Sequence, residues 1–122
     1  MKLSEAISLG STMHPQGFGH YQLDGKTCAM GAAACAVSIH VDYDEEIVKP
    51  WPWLSIPAEC PVCAVNDSDG QDFLWVIIHL NDEHMWTREK IAAWVATIEP
   101  KDAQQVSEKV TVSPLLSQGN YA

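Results

Sequence analysis

Gln71-Asp72-Phe73-Leu74-Trp75-Val76-Ile77-Ile78-His79-Leu80 is the stretch whose secondary structure decides the fold. Val76, Ile77 and Ile78 are β-branched and favour a strand. Phe73, Leu74, Ile77, Ile78 and Asn81 fall instead on one face at helical spacing. Periodicity alone does not separate these readings in an apolar run this short. We read it as a helix, which makes the chain a small, mainly α domain. A strand at 71–80 would make it α+β.

The flanking segments are clearer. Thr87 to Glu99 reads as a helix: Thr87 caps it, and Glu89 suits the positive end of its dipole. Ile91, Trp94, Val95 and Ile98 form its apolar face, and Pro100 ends it. Asp67-Ser68-Asp69-Gly70 reads as a turn. Further upstream, residues 42–49 form an acidic helical turn that Pro50 stops. Trp51-Pro52-Trp53-Leu54 cannot continue a helix, because each proline lacks an amide donor and restricts the residue before it. Its two tryptophans are expected to cover the core, a groove for proline-rich motifs being the alternative.

In the first third, Thr27 to Val37 reads as a buried, alanine-rich helix with Thr27 as its cap. Residues 3–9 form a shorter helix, with Ser4 as cap and Gly10 as stop. Residues 14–25 are expected to be a loop pinned to the core by Phe18 and Tyr21. The expected organisation is one globular domain over residues 1–99. Residues 100–122 form a partly ordered tail in which Val110, Val112, Leu115 and Leu116 are candidates for docking.

Composition excludes several functions. Seven Lys+Arg stand against sixteen Asp+Glu, a formal charge of −9. Without a basic stripe there is nothing to neutralise phosphates, so nucleic acid and anionic membrane surfaces are not expected partners. No apolar run approaches the roughly 20 residues of a membrane helix, and the first residues lack a secretory pattern. The expectation is a cytoplasmic protein, in which cysteines point to metal or redox chemistry more than to structural disulfides.

Cys60-Pro61-Val62-Cys63 is followed after fifteen residues by His79, and after four more by His84. This spacing matches a zinc-site template. A two-residue gap lets one turn aim two thiolates at one ion, and the two imidazoles complete a tetrahedron. Asp82 or Glu83 could hold the second ring nitrogen of a histidine ligand. Cys28 or Cys35 could replace one histidine. The plainer reading is a buried cysteine pair with histidines satisfied by backbone groups. A thioredoxin-like redox pair fits less well, since no βαβ pattern surrounds the motif.

A second chemistry is a thiol-dependent hydrolase. Cys28 lies at a helix start, where the dipole would lower its pKa, and His79 with Asn81 and Asp82 follows downstream. Order alone carries this analogy.

The segment His79-Leu80-Asn81-Asp82-Glu83-His84-Met85-Trp86-Thr87-Arg88-Glu89-Lys90-Ile91-Ala92-Ala93-Trp94-Val95 resembles the closing motif of a family of small uncharacterised bacterial and bacteriophage proteins. The likeness extends to Met1–Gly10, to Cys28-Ala29-Met30-Gly31-Ala32 and to the Cys60/Cys63 pair. It brings no activity with it. It implies that residues 79–95 act as one unit, a metal or histidine turn followed by a helix; Trp86 is expected to plug the core beside that turn. The expected function is a zinc-stabilised interaction module whose acidic surface meets a protein partner, ahead of the hydrolase using Cys28 and His79. An acidic mimic of nucleic acid, aimed at a basic protein, is a third possibility.

Overall fold

The computed structural model describes residues 1–63 and 71–101. The expected turn at 67–70 and the expected tail from 102 onward, with Val110, Val112, Leu115 and Leu116, lie outside the described residues. Five α-helices dominate: α1 (Leu3–Gly10), α2 (Ala29–Ala36), α3 (Asp44–Val48), α4 (Phe73–Asp82) and α5 (Arg88–Ile98). A 3-10 helix covers Pro52–Ser55, and β1 (Gln22–Leu23) pairs antiparallel with β2 (Lys26–Thr27). The domain is mainly α.

The ambiguous stretch is a helix because its N-terminus is capped. Asp72 adopts an extended backbone and its Oδ1 accepts the amide of Trp75 at 2.9 Å, which satisfies one of the free donors at the helix start. Leu74, Val76, Ile77 and Leu80 are then buried. Thr87 caps α5 in the same way, accepting from the amide of Lys90 at 3.1 Å.

The core lies where α1, α2 and α5 meet, with α4 against α2 and α5. Leu3 and Ile7 of α1, Met30 of α2 and Ile91 and Val95 of α5 are fully buried. Trp51 and Trp53 are buried too, so they cover the core and offer no surface for proline-rich motifs. Trp53 meets Phe73 edge-on at 5.4 Å. Pro52 opens the 3-10 helix, a position where its missing amide costs nothing.

Several local expectations need correction. Gly10 does not stop α1; it is the helix's last residue, and a Cβ there would sit 1.7 Å from the Ala32 carbonyl oxygen. Its role is to let α1 and α2 touch backbone to backbone. The chain turns away through Ser11, whose hydroxyl donates to the Ile7 carbonyl at 2.6 Å. The cap of α1 is Lys2, and the Ser4 hydroxyl donates to the Glu99 carboxylate.

The cap of α2 is Cys28, whose Sγ accepts from the Gly31 amide at 3.4 Å. Thr27 is occupied elsewhere, because its hydroxyl accepts from Arg88 at 2.9 Å. Phe18 is 46% exposed and does not pin its loop, whereas Tyr21 does pack on the core. Within that expected loop, Asp24 and Gly25 take positive φ (55° and 75°) and close the β1–β2 hairpin.

The α1–α2 contact predicts that Gly10→Ala forces the two helices apart. A loss of about 3 kcal/mol or more is expected, at or beyond the usual cost of overpacking because the obstacle is backbone. Urea denaturation measures it; an unchanged midpoint would refute the close approach.

Candidate metal centre

Two segments build the site. On one side, the chain between the 3-10 helix and Cys60 runs antiparallel to the start of α4. The Phe73 amide donates to the Ile56 carbonyl at 3.1 Å, and the Ala58 amide to the Gln71 carbonyl at 3.0 Å. This short pairing carries the turn Pro61-Val62-Cys63 beside α4. Cys60 is buried and Cys63 exposed. The Val62 amide points at Cys60 Sγ from 3.4 Å, the kind of amide–sulfur contact a Cys-x-x-Cys turn makes to stabilise thiolate.

On the other side stands the C-terminal end of α4. His79 lies in its last turn and His84 just beyond it. The Glu83 amide still bonds the His79 carbonyl at 2.8 Å, and the His84 amide bonds the same oxygen at 3.3 Å. Met85 then takes φ of 57°, and the Trp86 amide returns to the Leu80 carbonyl at 3.0 Å. This reversal folds the two imidazoles together, edge to face, with centroids 4.7 Å apart.

The four side chains converge. One ligand atom from each of Cys60, Cys63, His79 and His84 lies within 4.8 Å of the others. Cys63 Sγ and His79 Nε2 are already 3.4 Å apart. A tetrahedral ion bound at zinc-like lengths would space its ligand atoms about 3.3–3.8 Å apart, so small inward shifts would close the set. Independently, His84 Nε2 is buried and has no hydrogen-bond partner among the described residues. A buried polar atom normally finds a partner, and a cation bound by that nitrogen would supply one. These residues fit, and can hold, a metal ion.

Cys28 and Cys35 fall outside this cluster. Asp82 does not serve as expected either: its Oδ1 accepts the Gly19 amide at 3.0 Å and Asn81 Nδ2 at 2.8 Å, and so ties down the 15–20 loop. What holds the histidine end was not foreseen. Asn81 is fully buried and uses its whole amide. Its Oδ1 accepts from Gln16 Nε2 (2.9 Å) and the Ala29 amide (3.1 Å), while Nδ2 donates to the Gly17 carbonyl (3.0 Å) as well as to Asp82. A second unforeseen neighbour is Trp75, one turn before His79, which stacks on its ring at 4.4 Å and 15°. The i, i+4 spacing was the available signal. Trp86 packs on the core as expected, with the Lys90 ammonium 4.2 Å from its ring.

Cys28 has a different environment from an activated nucleophile. Burial pushes its thiol up, and the Gly31 and Met30 amides offset this only in part. His79, the base in the hydrolase reading, is in contact with Cys63 and Trp75. A raised thiol pKa leaves less thiolate at neutral pH than free cysteine has. Iodoacetamide applied to folded, metal-free protein at pH 7.5 should therefore modify exposed Cys63 readily, and Cys28 at least about tenfold more slowly than free cysteine. Peptide mapping by mass spectrometry reads both, and fast labelling of Cys28 would revive the hydrolase chemistry.

Comparison with known proteins found no match among family models, curated proteins or solved structures.

Proposed function

We propose that this chain is a small interaction module stapled by one structural zinc ion held by Cys60, Cys63, His79 and His84. The observation that carries it is the convergence of two sulfurs and two imidazole nitrogens within 4.8 Å. Two thiolates with two imidazoles form a borderline-soft tetrahedral set suited to zinc, whereas magnesium and calcium require oxygen ligands. Four protein ligands leave no open position for a reacting water, so the site is structural and the module is not a zinc hydrolase. The ion joins the Cys60–Cys63 turn to the end of α4, two segments otherwise linked through the short pairing at 56–58 and 71–73.

An interaction role is supported by the charge. With sixteen carboxylates against seven Lys+Arg, the surface suits a basic protein partner. No helix of the described residues is long and apolar enough to cross a membrane. The free thiols Cys28, Cys35, Cys60 and Cys63 suit a reducing compartment such as the cytoplasm. The hydrolase alternative with Cys28 and His79 ranks lower, because burial raises the thiol it needs.

Protein purified without chelator should contain about one zinc per chain by elemental analysis. Cys60→Ser and His84→Ala should each lose it. Because metal binding adds to folding stability, a thousandfold excess of zinc over its Kd should raise stability by about 4 kcal/mol relative to chelated protein. Folded, fully reduced protein that carries no metal when purified without chelator, and takes up none from added zinc, would overturn the proposal.

A further inference from the structure

A groove of about 660 Å³ opens between α3, the 3-10 helix and α4. Val48, Leu74, Trp75 and Ile78 give it an apolar floor. Its rim is acidic: Asp44, Glu45 and Asp72 supply three carboxylates against one ammonium, Lys49. Asp44 and Glu45 stand exposed in the first turn of α3. The groove is within the size range of ligand-binding clefts, and an apolar floor with a rim of one sign selects occupants by both area and charge.

We propose that this groove docks a cationic peptide segment of a partner protein, with an aliphatic or aromatic side chain seated on Trp75 and Ile78 and Lys or Arg residues facing the acidic rim. The inference deepens the interaction-module reading by giving it a surface and a partner chemistry. Charge complementarity decides the occupant. An acidic or neutral segment would place like charges on the rim or leave its carboxylates without counter-charges, whereas a basic one satisfies rim and floor together. The floor is also tied to the metal cluster. Trp75 lines the groove and stacks on His79, so an ion holding His79 would hold one wall of the groove in place. Metal loading would then tighten docking by pre-ordering Trp75.

Selection from a random twelve-residue peptide library on the full chain, purified without chelator and supplied with zinc, tests this. Enriched peptides should carry net positive charge and at least one large apolar residue. Their affinity, read by fluorescence anisotropy, should fall at least about tenfold in Ser55→Arg, which fills and charges the groove, and in Glu45→Lys, which reverses the rim. Both positions are exposed, and circular dichroism checks that the variants stay folded. No enrichment, enrichment of acidic peptides, or binding that neither substitution weakens would each overturn the groove assignment. Elemental analysis of the same samples separates the two readings. Peptide binding in folded protein without metal leaves the groove standing and removes the zinc staple; one zinc per chain with no peptide binding does the reverse.

Discussion

The buried amide of Asn81 fixes the end of α4 in place, and the candidate site depends on it. A carboxamide has two acceptor lone pairs and two donors, and here the protein meets all four. Its partners come from the 15–20 loop, the first residue of α2 and the adjacent Asp82, so one side chain joins three segments. Replacing it with an apolar residue would strand its two buried partners, the Ala29 amide and the Gly17 carbonyl, each at about 1–3 kcal/mol. Arg88 performs a matching task seven residues later. Buried in the first turn of α5, it donates to Thr27 Oγ1 at 2.9 Å and to the Ser11 carbonyl at 3.3 Å. Desolvation lowers its pKa, but a guanidinium starts so high that it stays charged at neutral pH.

Between these two anchors the chain has six residues, among them His84. With both ends held and Met85 in the left-handed region, His84 has little choice but to lie against His79. The histidine half of the cluster is thus ordered by neutral and charge-assisted hydrogen bonds of the fold itself. Among the described residues, the cysteine half is tied to α4 by two hydrogen bonds between 56–58 and 71–73 and shaped by one amide–sulfur contact. A metal ion would add most where the protein supplies least, which is the usual logic of a structural site in a small domain.

How much of this was legible in the sequence follows from the range of each interaction. The convergence of Cys60, Cys63, His79 and His84 was readable because both pairs are close in sequence, and turns of that length can converge on one point. The α5 cap at Thr87 was readable for the same local reason. The helix at 71–80 was undecidable by periodicity, since Leu74, Val76, Ile77 and Leu80 are buried and blur any apolar stripe; Asp72 as cap was the local clue that resolves it. Gly10 and Thr27 were misassigned because their roles are set by partners distant in the chain. Gly10 answers to the Ala32 carbonyl and Thr27 to Arg88, and a cap rule sees neither. The hairpin at 22–27 was missed although Asp24-Gly25 is a recognised signal, because two-residue strands have no pattern of their own. The four bonds of Asn81 left no trace in the sequence beyond a polar residue at a position on the apolar face.

The link between cluster and groove is geometric rather than electrostatic. A divalent ion that displaces one proton from each of two thiol ligands leaves the net charge of such a site the same before and after. The acidic rim at Asp44, Glu45 and Asp72 would therefore attract a cationic segment equally in both states at long range. What metal binding would change is the freedom of His79 and, through the stacked ring, of Trp75. An aromatic wall fixed before docking loses less side-chain entropy when a partner arrives, by about 0.5–1.5 kcal/mol for an immobilised side chain. The metal would thus act mainly on how long a docked segment stays, and the rim on how fast it arrives.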